Sequence, residues 1–104
     1  MYYVYAATNL QNAFQYISIT NNFKRTRQQM LSNLRAHDTT KVNIHLLSDF
    51  IKYGEQAFEW EILATVETRR EAQRILLDFL WLSTNPLTLA PNIYNTNIPH
   101  PIMA

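Results

Sequence analysis

The period of apolar and polar positions shifts along the chain between that of a strand and that of a helix, and the shifts and breaks mark the elements. Residues 2–7, YYVYAA, and 14–19, FQYISI, are dense in aromatic and β-branched side chains. The Asn- and Thr-rich TNLQNA between them predicts a β-hairpin with a longer loop. Phe23, Met30, Leu31 and Leu34 then recur at helical spacing, so a helix is expected to about residue 36, capped by Asn21 or Asn22. AHDTTK interrupts this and offers Asp38, Thr39 or Thr40 as the cap of a second helix, roughly 41–53, that buries Leu46, Leu47, Phe50 and Ile51. Gly54, the only glycine, follows directly and fits a helix C-terminus in a left-handed conformation.

The period then drops to two. Phe58, Trp60 and Ile62 alternate with Glu59 and Glu61, as in a strand with one face in a core over residues 57–66. Thr68 and Glu71 have the spacing of a capping box for a third helix near 69–83. Its REAQRILLDFLWL is apolar nearly all round and is expected to be buried on several sides. The remaining stretch holds all four prolines and is expected to be irregular. The order ββααβα describes an α+β domain: a small three-stranded sheet, hairpin plus third strand, flanked by helices.

Length adds one constraint. With 104 residues, 47% of them hydrophobic, the chain builds a single core rather than two. Its organisation reads as one domain over residues 1–95 and an irregular Pro-containing tail over 96–104. No apolar run approaches the ~20 residues of a membrane span, and no leader-like segment opens the chain. The absence of cysteine removes thiolate and disulfide chemistry, and an intracellular, reducing compartment is expected.

Charge is modest, at a formal +1. Its distribution is uneven: Lys24, Arg25, Arg27 and Arg35 occur with no acid among them. A solvated helix face is the ordinary reading of such a run. Phosphate binding by counterion displacement is the functional one. His37, His45 and His100 have no metal-ligand spacing with one another, and His45 with Asp49 forms a helical i,i+4 pair expected at the surface. Ser18 has no evident base.

These blocks, in this order, resemble the GIY-YIG nuclease domain of intron homing endonucleases and excision-repair nucleases. YVY (3–5) stands for G-I-Y and YIS (16–18) for Y-I-G. FIKYGEQAFEWEIL (50–63) is similar to the family's passage from second helix to third strand. DFLWL (78–82) and IYN (93–95) resemble its third-helix acidic motif and its late Y-N. The resemblance implies that Tyr5 and Tyr16 correspond to the tyrosines beside the scissile phosphate. Asp78 corresponds to the glutamate that holds a divalent metal, and Asn95 to the late asparagine.

The helix-one positions depart from the pattern. Thr26 stands where the resemblance expects an arginine, and Met30 where it expects a histidine or tyrosine. A one-residue shift would instead bring Arg25 or Arg27 towards the first of these places. Both signature glycines are replaced, by Tyr3 and Ser18. Losing one group that stabilises developing phosphoryl charge typically costs ~2.7–4 kcal/mol, or 10²–10³ in rate. Positions 26 and 30 lie one helical turn apart, so both losses fall on one spot. For Asp78 the structural alternative is an ion pair with Arg74, four residues earlier.

The expectation is therefore a catalytically degenerate pseudo-enzyme that serves as a protein-interaction or structural module, with a protein partner or larger assembly. The alternatives are nucleic-acid binding through Lys24, Arg25, Arg27 and Arg35, or a residual Mg²⁺- or Mn²⁺-dependent endonuclease. No cofactor is expected unless nuclease activity survives.

Overall fold

A computed structural model describes residues 1–83 and 93–95, with side chains through residue 80 and at 93–95. The elements are β1 (Tyr2–Asn9), β2 (Gln15–Thr20), α1 (Phe23–Arg35), α2 (Ile44–Tyr53), a 3-10 turn (Glu55–Ala57), β3 (Phe58–Val66) and α3 (Arg69–Ser83). The ββααβα order holds. The sheet is antiparallel in the order β2-β1-β3, so the first strand is central and the hairpin and the third strand flank it. The proposed tail, 96–104, lies outside the described residues, as does most of the Pro-containing stretch and His100.

Alternation along β1 decides the layering. Tyr2, Val4 and Ala6 face α3, where they pack with Ile17, Ile19, Ala72, Ile75, Leu76, Phe79 and Leu80. Tyr5 faces the other way, towards Phe23 and Met30 of α1. On that side Leu31, Leu34, Leu46, Leu47, Phe50 and Phe58 form a second core. One sheet thus carries α1 and α2 on one face and α3 on the other.

Three local expectations are corrected by the packing. The second helix starts at Ile44 rather than near 41, because Asn43 is its cap and accepts from the amides of His45 and Leu46. Asp38 instead closes a turn onto Thr40, through both backbone and hydroxyl. The third helix is buried on one side only: Arg69, Arg70, Glu71, Gln73, Arg74 and Asp78 are exposed. The third strand's inward face loses its cover past Trp60, and Ile62 is 45% exposed. Tyr5 pairs with Ile62 but Val4 pairs with Ala64, so Leu63 is the extra residue of a bulge that reverses the alternation there.

Other signals act as read. Asn22 caps α1 by accepting from the Arg25 amide at 3.1 Å. Thr68 accepts from the Glu71 amide at 3.2 Å and donates its hydroxyl to the Glu71 carboxylate at 3.0 Å. Gly54 ends α2 at φ 89°, as a glycine should, but with ψ 159° it lies in the mirror-extended region rather than the left-handed helical one. A Cβ there would meet nothing within 4 Å, so the cost of a side chain is backbone strain alone. Gly54→Ala is expected to lose about 1–3 kcal/mol, measured by urea denaturation. A neutral result would mean that the turn relaxes.

Candidate functional site

The corner between β1, β2 and α1 gathers four of the residues singled out by sequence: Tyr5, Tyr16, Thr26 and Met30. Tyr5 lies on the central strand under the start of α1 and is 3% exposed. Its ring meets Phe23 edge-on at 5.8 Å and stacks on Trp60 at 6.4 Å between centroids. Its hydroxyl donates to the Met30 thioether at 3.3 Å. Sulfur is a weak acceptor, so the bond satisfies the hydroxyl without polarising it. Burial pushes the Tyr5 hydroxyl well above the ordinary tyrosine range. Neighbouring Tyr16 adds to that shift, and Ser18, its cross-strand partner, opposes it. A phenol held so firmly protonated, with no carboxylate or imidazole bonded to it among the described residues, is poorly suited to activating water.

Thr26 is half-buried and spends its hydroxyl on Thr20, at 2.6 Å between the two Oγ1 atoms. It ties the first turn of α1 to the end of β2. Arg25 and Arg27, on either side of it, are exposed. Adjacent helical residues diverge by about 100°, so neither shares the direction of Thr26. Tyr16 is half-buried against the α1–α2 core.

Asp78 and Asn95 lie elsewhere. Asp78 is exposed on α3, and that helix covers the opposite face of the sheet from Tyr5. Among the described residues it makes no ion pair with Arg74 and no hydrogen bond to either tyrosine. Asn95 sits on the outer edge of β2. Its Oδ1 accepts from the Ile17 amide at 3.0 Å, and its Nδ2 donates to the Ile17 carbonyl at 2.8 Å. The side chain thereby imitates a backbone partner. The Tyr94 amide donates to the Gln15 carbonyl at 2.8 Å, so residues 93–95 continue the sheet past its edge.

A polar cluster that the sequence did not reveal, buried at Asn9 and Tyr94 and half-buried at Asn12, Asn43 and Asp49, holds this strip in place. Tyr94 Oη donates to Asp49 Oδ2 at 2.7 Å and accepts from Asn9 Nδ2 at 3.2 Å. Asn12 Nδ2 donates to the same Asp49 oxygen at 3.0 Å, and Asn43 Nδ2 donates to the Tyr94 carbonyl at 2.8 Å. Burial, then the hydrogen bond to Asp49, pushes the Tyr94 hydroxyl up to about 12. Asp49 therefore serves this network rather than a surface pair with His45. The Asn-rich hairpin loop was the one available signal, but its partners lie 37 to 85 residues away.

The basic run is divided. Arg35 holds Glu55 bidentately, Nε to Oε1 and Nη2 to Oε2, each at 2.7 Å. Those bonds hold the Glu55 carboxyl below its usual range. Lys24, Arg25 and Arg27 are exposed and in no ion pair among the described residues. No three His, Asp or Glu side chains converge among those residues either.

This arrangement of strands and helices resembles the fold of a GIY-YIG nuclease domain. The chain is similar to the catalytic domain of the homing endonuclease I-TevI, with a TM-score of 0.70 at 20% identity. The match covers 93% of this chain and 99% of the other. A single-substitution form of the same intron endonuclease domain matches with a TM-score of 0.67 at 19% identity, over 96% of this chain and 98% of that one. No family model and no curated protein matches the sequence. At this identity the likeness establishes the fold; the chemistry rests on the residues.

Proposed function

We propose that this chain is a catalytically silent domain of GIY-YIG fold that acts as a protein-interaction or structural module. The burial of Tyr5 carries the reading: the hydroxyl that would stand beside a scissile phosphate is enclosed by Met30, Phe23 and Trp60. Phosphodiester hydrolysis needs positive charge aimed at the phosphoryl oxygens and a group that moves a proton. Thr26 and Met30 supply neither. The residues also fit a divalent cation poorly. Mg²⁺ favours carboxylate oxygens and waters in near-octahedral array, whereas the corner offers neutral hydroxyls, a thioether and ring edges. Asp78, across the sheet, belongs to no cluster of three acidic or imidazole side chains among the described residues.

Supercoiled plasmid incubated with the protein and Mg²⁺ or Mn²⁺ is expected to remain intact, with Asp78→Ala indistinguishable from wild type. Nicking that disappears in Asp78→Ala would overturn the reading. A second reading, nucleic-acid binding without cleavage, is favoured by Lys24, Arg25 and Arg27, exposed and in no ion pair among the described residues.

A further inference from the structure

One end of the molecule carries two adjoining grooves. The larger, of about 390 Å³, is lined by Tyr3, Asn21, Asn22, Phe23, Lys24 and Ile62. The smaller, of about 250 Å³, is lined by Tyr2, Ile19, Thr20, Asn21 and Arg69. They share Asn21, the exposed residue at the turn from β2 into α1. We propose that this double groove docks an acidic segment of a protein partner, with an apolar side chain of that segment seated on Tyr3, Phe23 and Ile62. The proposal rests on the interaction-module reading and names the partner's chemistry.

The floor of the larger groove is apolar for a structural reason. Phe23, first residue of α1, covers Tyr5, while Ile62, Tyr5's partner on β3, is left without cover beside the bulge at Leu63. An exposed isoleucine that lines one groove with two aromatic rings offers area that an apolar side chain removes from water. The rims are cationic: Lys24 borders one groove and Arg69 the other, and neither is in an ion pair among the described residues. Carboxylates flanking an apolar residue would meet both features at once. A nucleic-acid backbone fits less well. The apolar floor offers a phosphate no partner, and a formal charge of +1 provides little counterion release.

The test is fluorescence anisotropy with a labelled Asp-Glu-Leu-Phe-Asp-Glu peptide. One control peptide has its acids replaced by Ser, another has Leu-Phe replaced by Ser-Gly, and a short oligothymidylate is the nucleic-acid arm. The acidic apolar peptide should bind best, more tightly at low salt. Lys24→Gln and Arg69→Gln should each weaken it about 2- to 5-fold, and Ile62→Ser roughly tenfold. All three positions are exposed, so circular dichroism should report an unchanged fold. Failure of the acidic apolar peptide to bind, equal binding of the three peptides, or indifference to Ile62→Ser overturns the proposal. So does oligothymidylate binding more tightly than the peptide and losing affinity in Lys24→Gln and Arg69→Gln. Plasmid nicking by the same preparation sinks the module reading itself. Intact plasmid together with an idle groove sinks only the docking proposal.

Discussion

Tyr94→Ala is expected to destabilise the protein by about 3–5 kcal/mol, the range for removing a large buried aromatic side chain. Tyr94 is buried against Phe14 at 5.5 Å and Phe58 at 6.4 Å between ring centroids, which accounts for most of that loss. Its hydroxyl accounts for the rest. Tyr94→Phe retains the rings but leaves the fully buried Asn9 amide without its acceptor and Asp49 without its shortest donor. A cost of about 1–3 kcal/mol is expected for that change alone. Urea denaturation of the two variants separates the contributions. If Tyr94→Ala proves nearly neutral, residues 93–95 do not brace β2 and the polar network carries no stability. Against a total stability of about 5–15 kcal/mol for a domain, the larger loss approaches unfolding.

Alkaline pH should have an effect of similar size. Tyr5 and Tyr94 both hold their protons more tightly folded than unfolded. Below pH 10 both states keep the proton and stability is unaffected. Above it the unfolded chain releases protons that the native state retains, so stability falls as pH rises, by about 1.4 kcal/mol per unit for each tyrosine. For Tyr94 the loss runs from pH 10 to about 12, where the folded hydroxyl also ionises. For Tyr5 it continues higher. Together they predict a loss of a few kcal/mol by pH 12. Urea midpoints across this range measure the slope, and Tyr5→Phe should halve it while preserving the ring packing. A slope unchanged in Tyr5→Phe would show that the hydroxyl reaches water, and the argument for catalytic silence would lose its main support.

The two predictions concern opposite ends of one design. At the Tyr5 corner, polar chemistry gives way to packing: a thioether and two rings enclose a phenol. At the Tyr94 cluster, polar groups are retained and fully satisfied, and they secure residues 93–95 beside the sheet. In both places the tyrosine hydroxyl is hydrogen-bonded within the fold.

What the sequence determined by itself is what short-range physics governs. A hairpin follows from two β-branched runs, and helix starts from Asn22 and Thr68, whose side chains reach amides three residues on. Gly54 ends a helix because only glycine adopts its backbone conformation cheaply. That Thr26 and Met30 carry no charge, where the resemblance expects an arginine and a histidine or tyrosine, is likewise legible in the residues. What the tertiary structure decided depends on groups distant in the chain. Asn43 rather than Asp38 caps α2, and its amide also reaches the Tyr94 carbonyl, 51 residues away. Arg35 leaves the basic run because Glu55, 20 residues on, takes both of its forks. Asn95 bonds the edge of β2 from 78 residues away. Ile62 keeps the alternation and yet is 45% exposed, because the period of a strand does not say where a neighbouring layer ends. Periodicity and capping are set within a turn or two of the chain, whereas a side chain's partner is set only when the layers close.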